Sequence, residues 1–244
     1  MIHEKIILSK DEDAYVEMYV PDSKVSYGVV RTWPVVVICP GGGYVISATK
    51  EKEAVAMQFL AKGYACFVLR YATFLKDRDA LLQKHVEINE NAYFPTQVLQ
   101  LMQVMHYIHE HQIRLSLDVS NIFTIGFSAG AHITGMFALR YQDEYLLQQL
   151  AFVPKENELR IKGCIMGYPM LSTRSLQEEY HKDNGIPHIQ YDVMKQCLYG
   201  HTHPSIEEIQ QQDLIHYITP NAPAMFIWHT VDDMVTMQKK RQHL

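Results

Sequence analysis

From residue 34 onward the chain alternates short, continuously apolar runs with stretches of helical spacing, and this constrains its fold more than any other feature. Residues 35–39, VVVIC, are apolar at every position, as a strand covered on both faces must be. Residues 50–61 place Val55, Phe59 and Leu60 on one side of a helix that stops at Gly63. Residues 65–71 read as the next strand. Pro95 opens a helix over 96–111, where its missing N–H would be unpaired anyway, and Val98, Leu101, Met102, Met105 and Ile108 form the apolar stripe. A strand over 121–125, a helix over 129–141 and strands over 161–166 and 225–228 continue the series. The pattern predicts an α/β fold with a mostly parallel central sheet and helices on both faces. Right-handed crossovers would then bring the strand ends to one edge, where sites form in such folds. Ahead of this series, residues 4–8 and 14–20 flank a turn-forming KDED and predict a short antiparallel pair. No repeat or linker divides the sequence, so residues 1–244 read as one domain, with 170–221 as a cap-like insertion over the cleft.

Composition narrows the partners. Apolar residues make up 48% and charged residues 20%, as in ordinary globular proteins, and a net charge of -5 argues against a broad nucleic-acid-binding surface. No apolar run approaches the roughly 18 residues of a membrane span. The opening MIHEKIILSKDEDAYVEMYV is too charged for the core of a signal peptide. Cys39, Cys66 and Cys164 lie inside apolar, strand-like runs and Cys197 in a helical stretch, with no CxxC pair or zinc-finger spacing. These features predict reduced, buried cysteines, a cytoplasmic setting and no metal.

Three segments carry chemistry. Gly126-Phe127-Ser128-Ala129-Gly130 follows the strand NIFTI directly and runs straight into a helix. That strand–turn–helix setting is what a nucleophile elbow requires, with the serine on a tight turn at a helix N-terminus. Pro40-Gly41-Gly42-Gly43-Tyr44 ends the strand over 35–39; its glycines can turn backbone N–H groups toward a ligand. With the N–H of Ala129 they could donate to the oxygen that becomes negative in acyl transfer. The loop lacks the GK[ST] of a nucleotide-binding Walker A motif. Phe226-Ile227-Trp228-His229-Thr230-Val231-Asp232-Asp233 ends an apolar strand in a turn with two carboxylates, where a nucleophile–acid–base order would put its acid.

PGGGY, GFSAGAH, GYPMLS and FIWHTVDD, in that order, resemble the α/β-hydrolase superfamily, and more narrowly its bacterial acetyl-esterase and xylan-esterase-like branch. The likeness extends over about residues 15 to 237 and implies the α/β-hydrolase fold. It implies Ser128 as nucleophile, Gly42, Gly43 and Ala129 as oxyanion donors, and Asp233 as the acid, with Asp232 close behind. Pro40 stands where many relatives carry histidine. The implied activity is hydrolysis of short acyl esters through an acyl-enzyme, with a small-molecule ester as substrate and no cofactor; a homodimer is left open.

The resemblance also implies a histidine after one further helix and strand, and residues 234–244 leave no room for both. The reading therefore favours a shortened member whose final strand and base are missing over a base supplied from an unexpected place. His243 is the sole histidine in that tail, and a helix over 234–244 would hold it ~15 Å from Asp233. His132 lies one helical turn past Ser128 and reads as structural. His229 lies on the acid strand, and His181, His188, His201, His203 and His216 have no spacing that marks a base. The residues Ser47 to Glu51 read as a self-capping helix start. Phe74, Tyr93, Phe94, Tyr180, Tyr191 and Tyr199 would overlie the cleft, and no lipid-scale apolar lid is visible, so a small acyl group such as acetyl on a sugar is expected. A peptidase or amidase of the same fold, and a non-catalytic hydrolase-like binding protein, are the competing readings.

Overall fold

The structure, a computed structural model, describes residues 1–8, 13–22, 31–75, 89–174 and 188–230, with backbone alone for 188–191. Its strands are β1 (Ile2–Ile7), β2 (Tyr15–Val20), β3 (Trp33–Cys39), β4 (Ala65–Arg70), β5 (Leu117–Phe127), β6 (Gly163–Gly167) and β7 (Ala224–Trp228). They form one sheet in the order β1-β2-β4-β3-β5-β6-β7. The expected leading pair, β1 and β2, is antiparallel, and β2 joins β4 antiparallel. From β4 through β3, β5 and β6 to β7 every pairing is parallel. The helices are α1 (Glu53–Leu60), α2 (Thr96–Glu110), α3 (Gln112–Leu115), α4 (Ala129–Arg140), α5 (Glu144–Leu147), α6 (His188–Tyr199) and α7 (Ile206–Gln211).

The unbroken apolar run of β3 is explained by what lies on each side of it. Val35, Val37 and Cys39 face a core shared with α2 and α4, while Val36 and Ile38 face a second core built on Ala56 of α1. All five side chains are buried, and each such burial contributes roughly 1.5–3 kcal/mol for a side chain of valine or isoleucine size. Two elements depart locally from the bounds that the periodicity predicts. The strand expected over 121–125 begins at Leu117, because the register shifts between Pro34 and Val35 and the intervening Asp118 gathers Ser120 and Asn121 into a side-chain-bonded turn. The helix expected over 50–61 is broken at Lys52, whose φ of -110° and ψ of -112° separate a 3-10 turn at Thr49–Glu51 from α1.

The register decides where chemistry can sit. Cys39 of β3 pairs with Gly126 of β5, Gly126 with Met166 of β6, and Met166 with Ile227 of β7. One row of residues thus crosses four parallel strands just before they end. The segments after Cys39, Phe127, Gly167 and Trp228 therefore leave the sheet side by side on one edge. Among the described residues β7 is the outermost strand on that side, with Phe226, Ile227 and Trp228 exposed.

Candidate active site

Ser128 occupies the turn between β5 and α4 with φ 50° and ψ -116°, a left-handed backbone that non-glycine residues adopt rarely. Its N–H donates to Gly167 O at 3.0 Å, which fixes the turn against the end of β6. The flanking glycines are there for space. A Cβ on Gly126 would lie 2.2 Å from Gly130 O, and one on Gly130 would lie 2.0 Å from Cys39 O. Helix α4 can therefore rise from β5 directly against the end of β3. Ser128 itself is half-buried, and among the described residues no histidine is hydrogen-bonded to its hydroxyl.

The loop after β3 is stitched by its own carbonyls. Val45 and Ile46 donate to Gly42 O and Ala48 donates to Gly41 O, while Gly42, Gly43 and Tyr44 run through positive φ values of 128°, 63° and 66°. The amides of Gly42, Gly43 and Ala129 find no acceptor among the described residues, whereas Gly41 N–H is taken by Glu51 Oε2 at 2.6 Å. Side chains tether this loop from below. Tyr71 OH donates to Pro40 O at 2.6 Å, and Tyr44 OH meets His132 Nδ1 at 2.7 Å in the core beneath the elbow. Helix α6, within the segment expected as a cap, brings Met194 next to Gly43 and hydrogen-bonds the Cys197 thiol to Tyr44 O.

His132 has the structural role its position suggested. Its Nε2 donates to Gln212 O at 2.7 Å, so Nδ1 is the acceptor for Tyr44 OH. It is fully buried, and that burial pushes its pKa down to about 4, with the Gln212 carbonyl and Asp213 opposing. Burial likewise holds the Tyr44 phenol well above its usual range, so it remains a donor. Asp232, Asp233 and His243 lie outside the described residues, as do His181 and Tyr180. His201 pairs with Glu208 on α7, away from the site's bonding network.

One participant escaped the sequence reading. The stretch from Ser47 to Glu51 does not cap itself: the 3-10 turn has no side-chain cap, and Glu51 instead bridges Gly41 N–H and Tyr168 OH, the latter at 2.6 Å. An acidic residue in a helical first turn is so ordinary that nothing local marks this role. Away from this edge, other polar groups gather on α2. His106, Glu110 and Glu158 on α2 and the 155–158 turn do bring ligand atoms within 4.8 Å of one another, but Glu158 already accepts from His106 and Glu110 from Lys155. No described helix is long and apolar enough to cross a membrane.

A serine on a strained strand–helix turn, at the carboxyl edge of a parallel sheet and beside a loop whose amides find no acceptor among the described residues, defines the class as the α/β-hydrolases. Solved structures with this fold include the carboxylesterase Cest-2923 from Lactobacillus plantarum WCFS1 (TM-score 0.70, 19% identity, 96% of this chain and 73% of that one). Another is the acetyl ester-xyloside bifunctional hydrolase from Caldicellulosiruptor lactoaceticus (TM-score 0.67, 20% identity, 96% and 76%). The α/β hydrolase MGS-M1 from a Medee basin deep-sea metagenome library aligns at 25% identity with a TM-score of 0.60, over 98% of this chain and 72% of its own. The expected fold is thus borne out. The chain belongs to the BD-FAE family, which it matches over residues 17–244. Among curated proteins it is 26% identical over 205 residues to endo-1,4-beta-xylanase B of Butyrivibrio fibrisolvens, covering 81% of this chain and 27% of that longer protein.

Proposed function

We propose that this chain is a serine carboxylester hydrolase acting on short acyl groups, acetyl on a carbohydrate above all, through an acyl-enzyme on Ser128. The observation that carries the reading is the pairing of the strained Ser128 turn with the amides of Gly42, Gly43 and Ala129, which find no acceptor among the described residues. Attack by Ser128 Oγ on an ester carbonyl makes a tetrahedral oxyanion, and donors fixed before the reaction stabilise it without reorganisation. The base takes the serine proton and passes it to the leaving oxygen as the alcohol departs, and water, deprotonated in turn, releases the acyl group. Asp233, with Asp232 as second candidate, is proposed as the acid that orients the base, since the chain leaves β7 after Trp228 on the same sheet edge as the elbow, with β6 between them. The names of a xylanase relative and an acetyl ester-xyloside hydrolase support a carbohydrate ester as substrate. Four free, buried cysteines support a reducing, cytoplasmic setting.

Incubation with a fluorophosphonate followed by peptide mass spectrometry is the direct test. The adduct is expected on Ser128, absent from Ser128→Ala, and competed by p-nitrophenyl acetate before p-nitrophenyl esters of long acyl chains. Labelling at another residue, or none, refutes the reading.

A further inference from the structure

We infer that Glu51 is a positioning residue that sets the oxyanion loop against the nucleophile, an inference that rests on the esterase reading above. Its carboxylate joins segments from two strands that flank β5. Oε2 accepts from Gly41 N–H, at the start of the loop after β3, and Oε1 accepts from Tyr168 OH, just past β6, each at 2.6 Å. Tyr168 is in turn held by its N–H to Trp228 O and by an edge-on contact with the Trp228 ring, and its predecessor Gly167 accepts the Ser128 N–H. The clamp therefore spans the elbow from one side to the other.

Its proximity to the chemistry follows from Gly41. A Cβ there would stand 2.9 Å from Glu51 Oε2 and 3.1 Å from Ser128 Cβ, so carboxylate and nucleophile flank the same glycine. Glu51 claims the Gly41 amide, whereas the next two amides find no acceptor among the described residues. A charged acceptor makes a hydrogen bond roughly twice as strong as a neutral one, which suits a loop whose next three residues sit at positive φ. Only a side chain with two acceptor oxygens can hold both donors as they stand. In Glu51→Gln the amide oxygen can keep Gly41 while Tyr168 OH reverses to accept, so this variant should preserve part of the clamp.

Two measurements test this. Pro40-Gly41 is the sole Pro-Gly pair in the sequence, so ¹³C-carbonyl proline with ¹⁵N-glycine isolates the Gly41 amide resonance. The wild-type proton is expected well downfield, moving upfield in Glu51→Ala and by less in Glu51→Gln. With p-nitrophenyl acetate, kcat is expected to fall about 100-fold in Glu51→Ala with KM within about twofold, comparable to misplacing one oxyanion donor. Glu51→Gln should recover much of that loss, and Tyr168→Phe should resemble Glu51→Gln. An unchanged Gly41 resonance in Glu51→Ala, or a loss confined to KM, overturns the inference. If the alanine variant does not fold, Glu51→Gln and Tyr168→Phe carry both readouts. Should the wild type neither turn over ester nor take a fluorophosphonate, the esterase reading fails, while the Gly41 resonance still decides the clamp.

Discussion

Lowering the pH should destabilise this protein through His132. The ring is fully buried beneath the elbow with both nitrogens committed, Nε2 donating to Gln212 O and Nδ1 accepting from Tyr44 OH. A second proton would need the Tyr44 hydroxyl to turn away and a charge to be held without water. Its native pKa is accordingly pushed down to about 4, against an ordinary value of 6.5. The sign follows from linkage. Below the unfolded value the unfolded chain binds a proton that the native state refuses, so stability is lost as pH falls. The loss from this one group begins near the unfolded value and levels off below the native one; at a pH of about 5 it amounts to about 2 kcal/mol, and its limit is about 3 kcal/mol. Other groups also titrate in this range, including His109, whose pKa burial also lowers, so the informative quantity is a difference. His132→Gln can still donate to Gln212 O and accept from Tyr44 OH, but it does not titrate. Urea unfolding of both proteins should show the variant weaker at neutral pH, with the gap narrowing by about 2 kcal/mol by a pH of about 5. A gap constant across that range would show that His132 takes up its proton freely in the native state.

Gly130→Ala should cost about 3 kcal/mol or more by chemical denaturation, since its Cβ would lie 2.0 Å from the Cys39 carbonyl oxygen. In Gly43→Ala the new Cβ would meet Met194 Sδ at an ordinary contact distance of 3.6 Å; only the left-handed backbone is penalised, by about 1 kcal/mol. Equal effects of the two would refute the steric account of the elbow. All four cysteines are buried, and burial pushes the thiols of Cys66 and Cys197 up to about 12. None should react with a chromogenic disulfide in native buffer at neutral pH, and all four should react in denaturant; a fast-reacting native thiol would contradict the packing.

What the sequence discloses is what the backbone does locally. The strand–turn–helix around Ser128 needs glycine at two fixed offsets, and a triple glycine ending a buried strand announces a loop that can present amides, so both are legible within a few residues. The apolar runs likewise disclose strands covered on both faces, because their two sets of side chains enter two different cores. The supports of the loop are another matter. Tyr71 reaches Pro40, His132 reaches Tyr44 and Glu51 reaches Tyr168 across 31, 88 and 117 positions of sequence. Each of these side chains also has an ordinary reading where it stands: a strand-end aromatic, a helix-face histidine, an acid in a first turn. Only the sheet order, which sets β4 and β5 on either side of β3 and β6 beside β5, turns them into partners.

This division bears on how the site holds its shape. A left-handed serine costs of order 1–3 kcal/mol and persists only where surrounding contacts over-determine it. Here the constraint comes from both neighbours at once. The amide of Ser128 is held by Gly167 and its helix is pressed to within a hydrogen atom of the end of β3, while the loop beside it is tied at Pro40, Gly41 and Tyr44. The two kinds of tie differ in what they cost to lose. Tyr71 and His132 are buried in the main core, so removing them leaves polar groups stranded and weakens the whole fold. Glu51 is only half-buried at the edge, where water can replace it. Loss of Glu51 should therefore move the loop's amides without unfolding the protein, and that separates the geometry of the site from the stability that surrounds it.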